Sequence, residues 1–379
     1  MKREINIEKR IIIFIIAYSI FQISWIFEEV PFIGQIKPII TRIVLVLLFI
    51  CGIMNKYTSK REIIIDVIII LISLISMYIT KSTIFFVNIM FIIVFKDMSL
   101  DKFIKFDIKL RASLVGLLFV TYFLGLTNSE VMYRDNGIAR YSLGFQHPNL
   151  LGAYVLSICA EYIYLRYKKI NFVDYIVLVV VTILLTIITD SRSAQIGMIL
   201  LLIFTLIGKI NNGKLLDMKG IKCGLTYLPI IMTVVSIGLA IWFETKDNFI
   251  VGFDKILSTR INCMHDFLYH YGITVLGSEL TNLGNFGKWL STLDNSYLYV
   301  LMQNGIIVLL GLIVGLSKVN KDNLKNKNYN VVVILAMYAI YGFVETYFTL
   351  VKTNPFLLCL SFLIYENETQ TKVLKKWKI

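Results

Sequence analysis

IIIFIIAYSIFQISWIF, residues 11–27, is a seventeen-residue run without a charge. As a helix rising 1.5 Å per residue it extends about 25 Å, close to the roughly 30 Å hydrocarbon core of a bilayer. A second run, IVLVLLFICGIM, fills 43–54. Of the 379 residues, 57% are hydrophobic and 17% charged, whereas a soluble domain carries about 25% charge. Lipid is therefore expected as the main solvent, and the fold class is an all-α polytopic membrane protein. The run at 11–27 is too long and too aromatic for a cleaved leader. It also lacks a small-residue cleavage site, so it is read as a retained span.

Twelve apolar segments follow this pattern: 11–27, 38–54, 63–79, 83–95, 111–127, 149–165, 175–189, 194–209, 223–243, 297–316, 331–350 and 353–365. The segments at 83–95 and 353–365 are short. They predict a single integral membrane domain over 1–379 with both termini cytoplasmic. Loops 1–10, 55–62, 96–110, 166–174, 210–222, 317–330 and 366–379 then lie inside, and 244–296 becomes a long extracytoplasmic loop. Of the 28 lysines, 22 fall inside and 6 outside, as expected when positive charge marks the cytoplasmic side. The net charge of +13 is thus assigned to membrane topology, and nucleic acid is not an expected partner. Segment 96–110, KDMSLDKFIKFDIKL, suits either a stretch lying on the anionic inner leaflet or a solvated loop.

Arginine does not follow lysine. Arg3, Arg10, Arg61, Arg111 and Arg166 are inside, but Arg42, Arg134, Arg140, Arg192 and Arg260 are outside or at the outer end of a span. Guanidinium keeps its proton and offers a planar fork matching phosphate, so outward arginines suit a bound anion. The structural alternative is pairing with nearby carboxylates, such as Arg134 with Asp135 or Arg192 with Asp190. The five cysteines (51, 159, 223, 263, 359) show no CxxC spacing and the histidines no His-x-His. Neither a disulfide framework nor a metal site is expected.

Three outer segments hold the unusual polar residues. In NSEVMYRDNGIARYSLGFQHP (128–148), Pro148 suits a first helical turn and makes His147 an N-cap or the neighbour of one. TDSRSAQIG (189–197) is a tight turn that holds Arg192 near the membrane surface. In FDKILSTRINCMHDFLYHY (253–271), helical spacing puts Phe253, Ile256, Leu257, Ile261, Met264, Phe267, Leu268 and Tyr271 on one face. Asp254, Ser258, Asn262, His265 and Tyr269 share the other, which reads as an interfacial helix within the long loop. Arg260 falls inside the apolar arc and needs a partner there, either a protein carboxylate or a bound anion. Asp294 and Asn295, in STLDNSYLYVLMQNG (291–305), are N-cap types. Glu345 lies near the end of a span, where an ionisable group is a functional candidate or the ion-pair partner of Arg42, Lys352 or an outer arginine.

Arg140 followed by GFQHPNLLG (144–152), the SRS of 191–193, Arg260 in a long outer loop, and LDNSYLYVLMQNGI (293–306) occur in one order and on one side. Over roughly 111–316 the chain resembles the Wzy-type polysaccharide polymerases and the related O-antigen ligases. The resemblance implies a GT-C-like fold and an inverting, metal-independent glycosyltransferase in the bacterial cytoplasmic membrane, without cofactor. Its substrate would be undecaprenyl-diphosphate-linked oligosaccharide, with a chain-length regulator and a flippase as expected partners beside membrane lipid. By position, Arg140, Arg192 and Arg260, with Arg134, would bind the diphosphate. Asn149, Ser191, Asn295 and Tyr297 would line the site or meet the acceptor. Where the ligases carry a His-rich motif this chain has Asp294-Asn295-Ser296, which favours polymerase over ligase. The catalytic base is left among Asp294, His147 and Glu345. A ligase acting on another acceptor, a flippase or transporter for lipid-linked oligosaccharide, and a sensor or scaffold are the competing expectations. A transporter should show more deep charge than is evident here and a repeat between its halves.

Overall fold

A computed structural model of the chain describes residues 2–134, 136–280 and 293–365, with side chains apart from those of 2–7 and 211. The elements are helical apart from a two-residue antiparallel ribbon that pairs Met132 with Arg140 and Tyr133 with Ala139. In chain order the helices are α1 (Lys2–Ile26), α2 (Pro31–Ile53), α3 (Lys60–Thr80), α4 (Ile84–Val94), α5 (Leu100–Phe123), α6 (Pro148–Arg166), α7 (Phe172–Thr189) and α8 (Arg192–Lys209). There follow α9 (Lys214–Asp217), α10 (Lys219–Trp242), α11 (Asn248–Ile256), α12 (Arg260–Tyr271), α13 (Ser296–Asn304), α14 (Ile306–Lys325), α15 (Tyr329–Val344) and α16 (Ser361–Ile364).

Among the described residues six helical segments are long and apolar enough to cross a membrane: Glu8–Ile26, Pro31–Ile53, Lys60–Thr80, Phe172–Thr189, Arg192–Lys209 and Lys219–Thr245. Their packing is that of lipid-facing helices. Among the helix residues of α2, Val44, Leu48 and Cys51 are buried, while Val46, Phe49 and Ile53 are exposed. Such an apolar outer surface is stable against hydrocarbon and not against water. The chain is an all-α, multi-pass membrane protein.

The residues fall into two compact units, residues 1–63, 90–205 and 351–379 forming one and 64–89 with 206–350 the other. The core of the first is aromatic. Phe14 and Tyr18 of α1 meet Phe91 of α4 and Phe103 of α5 edge-on, with ring centroids 4.9–5.8 Å apart. In the second, α10, α12, α13, α14 and α15 close around Ile261, Met264, Phe267, Leu298, Leu301, Val332 and Leu335, all buried.

Several expected boundaries shift, for identifiable reasons. Residues 100–110, read as loop, belong to α5, whose N-terminus is capped by Ser99. The buried Asp107 and Arg111 pair one turn apart, so the charge that looked like loop is neutralised inside a helix. The segment 297–316 is two helices meeting at Gly305, whose φ of +91° suits glycine. A Cβ there would sit 2.3 Å from the Val275 carbonyl oxygen. The periodic stretch 253–271 is likewise broken, because Ser258 and Thr259 both have positive φ. Asp254, expected on the solvated face, is buried. Residues 353–365 form a 3-10 turn over Pro355–Leu360 followed by α16.

Candidate functional site

In the first unit the site begins with a helix start. Pro148 opens α6, and His147 in an extended conformation caps it, Nδ1 accepting the backbone N–H of Asn149 at 3.0 Å. With Nδ1 an acceptor, the neutral ring carries its proton on Nε2. Burial, reinforced by the nearby Arg140 charge, pushes the imidazole down to about 4. The lone pair that a base would use is spent on the cap, so the geometry makes His147 a helix start with its Nε2–H left as a donor, and a poor general base.

Asn149 is turned to other partners. Its Oδ1 accepts from Nη2 of Arg140 at 2.7 Å and from Oγ of Ser191 at 3.0 Å. Nε of Arg140 donates to the Thr189 carbonyl at 3.0 Å. The Tyr141 N–H bonds to Ile188 O at 2.8 Å, which fastens the stretch after the ribbon to the end of α7. Asp190 ends α7 with φ +42° and ion-pairs with Arg134, whose Nη2 also donates to the Asp190 carbonyl at 2.5 Å. The carboxylate expected of Arg192 therefore serves Arg134, while Asp135 lies outside the described residues. Arg192 is exposed at the first position of α8. Gly152 makes this convergence possible, since a Cβ there would lie 2.5 Å from the Ala194 Cβ. Arg140, Asn149 and Ser191 thus join in one hydrogen-bonded group across 51 residues of sequence, with Arg134 and Arg192 on the adjoining turn.

In the second unit the site is built on α12. Asp254 reaches forward so that Oδ1 accepts the N–H groups of Ile261 and Asn262 at 2.8 and 3.0 Å, capping α12 directly behind Arg260. Arg260 folds back: Nε donates to Val344 O at 3.0 Å and Nη1 to Leu257 O at 3.3 Å. Its Nη2 lies 3.5 Å from Asp294 and 3.7 Å from Glu345. The partner required by the apolar arc is therefore a pair of protein carboxylates. A bound anion here would meet one guanidinium already shared by two carboxyl groups. Glu345 is buried, whereas Asp294 is partly exposed. Burial raises the Asp294 carboxyl above its ordinary range, and Arg260 pulls it only part of the way back.

Asn295, not Asp294, caps α13, accepting from the Leu298 N–H at 2.9 Å. Its Nδ2 donates to Ser236 Oγ at 2.9 Å and Phe343 O at 3.0 Å. Tyr297 is buried and donates to Ala339 O at 2.6 Å. Asn295 and Tyr297 are thus buried, with these hydrogen bonds made inside the second unit, and Asp294 is left to Arg260.

One polar cluster was not anticipated. In the first unit Arg111, Asp107 and Glu161 are completely buried, with Arg111 Nε 2.9 Å from Asp107 and 3.2 Å from Glu161. Tyr18 donates to Asp107 at 2.8 Å, and Arg111 donates to Tyr18 and to the Lys352 carbonyl, each at 2.5 Å. A signal was present: Glu161 interrupts the apolar run 149–165, and an ionisable residue in a span is functional by default. Among the described residues no group of three or more His, Cys, Asp or Glu is placed to hold a metal ion. No protein-family model, curated protein or solved structure matches this chain.

Proposed function

We propose that this protein is a membrane glycosyltransferase that polymerises undecaprenyl-diphosphate-linked oligosaccharide repeat units, with twelve spans and a GT-C-like fold. On this reading it sits in the bacterial cytoplasmic membrane with both termini inside and its chemistry on the outer face. The observation that carries the reading is the Arg140–Asn149–Ser191 group. It unites the two motifs, GFQHPN and SRS, on which the resemblance rests, and adds two further guanidinium groups, Arg134 and Arg192, on the adjoining turn.

The acceptor sugar's hydroxyl oxygen attacks the anomeric carbon of the donor, and the bond to the lipid diphosphate breaks. The diphosphate leaves with the electron pair and needs fixed positive charge in a poorly solvated place. Arg140 and Arg192 supply it, with Arg134, already paired with Asp190, on the adjoining turn. In the second unit, taken by itself, Asp294 is partly exposed and burial raises its carboxyl, which suits a group that accepts the proton of a hydroxyl. Arg260 then orients and tunes Asp294 instead of binding diphosphate, with Glu345 as its buried counter-charge. Deletion of the gene followed by glycan analysis tests the reading. A polymerase mutant leaves single repeat units on lipid; long-chain polymer in the deletion strain refutes it.

A second reading, a lipid-linked oligosaccharide transporter, is favoured by one observation. The Asp107–Arg111–Glu161 cluster is the deep charge that such a protein requires. In that case the deletion strain accumulates repeat units on the inner face.

A further inference from the structure

The cluster between α1, α5 and α6 holds two carboxyl groups against one guanidinium, all three side chains fully buried. Arg111 turns only Nε toward them, 2.9 Å from Asp107 Oδ2 and 3.2 Å from Glu161 Oε1. Its other N–H groups are spent elsewhere. Nη1 donates to the Lys352 carbonyl at 2.5 Å, and Nη2 to Tyr18 at 2.5 Å and the Val351 carbonyl at 3.3 Å. Tyr18 gives its own proton to Asp107 Oδ2 at 2.8 Å, and Ser157 donates to Glu161 Oε1 at 3.1 Å. That leaves Asp107 Oδ1 and Glu161 Oε2, both buried and without a hydrogen-bond partner among the described residues. The two carboxyl groups also lie within hydrogen-bonding reach of one another. Two ionised carboxylates in such contact are both acceptors and repel; one proton between them removes the conflict.

We propose that Asp107 and Glu161 form a proton-binding site that holds one shared proton at neutral pH, leaving one negative charge opposite Arg111. The proton belongs to the pair and not to either residue. It turns two acceptors into a donor and an acceptor, and it brings the charge of the group to zero. A hard metal cation fits less well. It takes about six or more oxygen ligands, whereas two oxygens are open here and a guanidinium already stands against both carboxyls. The other titratable groups facing the pair are Tyr18 on α1 and Tyr154 and Cys159 on α6. None of these supplies a positive charge. Lys352 presents its carbonyl, while its ammonium lies against the Trp25 ring at 3.3 Å. Loss of the proton sets two negative charges against each other between α5 and α6, and α6 also carries Asn149 of the Arg140 group.

The test is infrared spectroscopy of the full chain in nanodiscs at neutral pH, reading the carbonyl stretch of protonated carboxylic acids, which ionised carboxylates lack. The expected result is an acid band in the wild type that is lost in Glu161→Gln and lost again in Asp107→Asn. Each amide puts an N–H donor where the shared proton was, so both variants fold. No such band in the wild type, or a band that survives either substitution, overturns the shared proton. Replacing choline chloride by sodium chloride at constant pH should leave the band unchanged. A band that sodium displaces makes the resident a metal cation and overturns the proposal. Thermal unfolding gives a second readout. The folded chain holds a proton that the unfolded chain releases above about pH 4, so the wild-type midpoint falls as pH rises and Glu161→Gln loses that part of the fall. Equal slopes in the two proteins overturn the site as well. Both measurements read the cluster itself, so their outcome is separate from that of the glycan analysis.

Discussion

Arg260 reaches the carboxylate of Asp294 at 3.5 Å from a side chain that is itself largely buried. The positive charge is fixed while the carboxylate stays partly open to solvent, which is the asymmetry expected of a tuned base. Asp294→Asn should therefore abolish polymer while the protein remains in the membrane. Arg260→Met removes the charge that opposes desolvation, so the Asp294 carboxyl rises further. The acid limb of the pH–rate profile then moves to higher pH. An unmoved limb, with activity retained, would show that Asp294 is not the base. Stability should change in the opposite sense to activity. A carboxyl raised on folding binds protons more readily when folded, so its contribution falls as pH rises from about 4 through the raised value. Asp294→Asn should thus unfold at the same or a higher temperature at neutral pH and lose any advantage in acid.

Arg140 makes two hydrogen bonds of different direction, Nε to a carbonyl and Nη2 to the Asn149 amide oxygen. Lysine has a single nitrogen and cannot span both. Arg140→Lys should cut polymer formation about tenfold or more, with normal protein level. Asn149→Asp should restore nothing in that background. Long-chain polymer of normal length in Arg140→Lys would remove the diphosphate role.

The class of the protein was legible because apolar runs of membrane-spanning length have no other solvent. The helix start at His147 was legible too, because Pro148 leaves few other conformations. Arg260 announced its need for a partner from its place in an apolar arc, but periodicity does not say what stands opposite. That Asp294 and Glu345 do so depends on Asn295 capping α13 and on the chain turning at Glu345, both tertiary facts. The Arg111 cluster was hidden for a related reason. Charges that neutralise one another across α5 and α6 look, in sequence, like an amphipathic loop and one stray glutamate.

Replacing His147 by asparagine separates cap from catalyst. Asparagine is among the best N-caps, so the start of α6 survives, whereas alanine costs about 1 kcal/mol. His147→Asn should support polymer of normal length. A histidine held down to about 4 against a reference near 6.5 contributes stability that is whole above pH 6.5 and declines as pH falls toward 4. The asparagine variant should lose that slope in pH-dependent unfolding. Loss of polymer with unchanged stability would return His147 to the chemistry.

Arg111 faces two buried carboxylates, so the three groups do not balance when all are ionised. Glu161→Gln leaves a one-to-one pair and should be tolerated or stabilising. Arg111→Met strands two carboxyl groups and should cost about 3–5 kcal/mol, read as a fall in the unfolding midpoint of the detergent-solubilised protein. If Glu161→Gln keeps its stability yet leaves repeat units on the inner face, the transport reading gains the evidence that the polymerase reading loses.

Gly152 lies on α6 one turn beyond Asn149, and a Cβ placed on it would meet the Ala194 Cβ of α8 at 2.5 Å. Both partners are on helix backbones, so neither yields by rotating a flexible end. Gly152→Ala should therefore separate the starts of α6 and α8, although alanine is the better helix former by about 1 kcal/mol. The first contact to lengthen is the one from Ser191 Oγ to Asn149 Oδ1, now 3.0 Å, and Arg140 loses its fixed acceptor with it. The expected outcome is shortened polymer in a protein that still inserts and folds. Ala194→Gly in the same chain should restore length, because it removes the methyl group that the new Cβ strikes. A double variant no better than Gly152→Ala would mean that the α6–α8 approach does not set the geometry at Arg140.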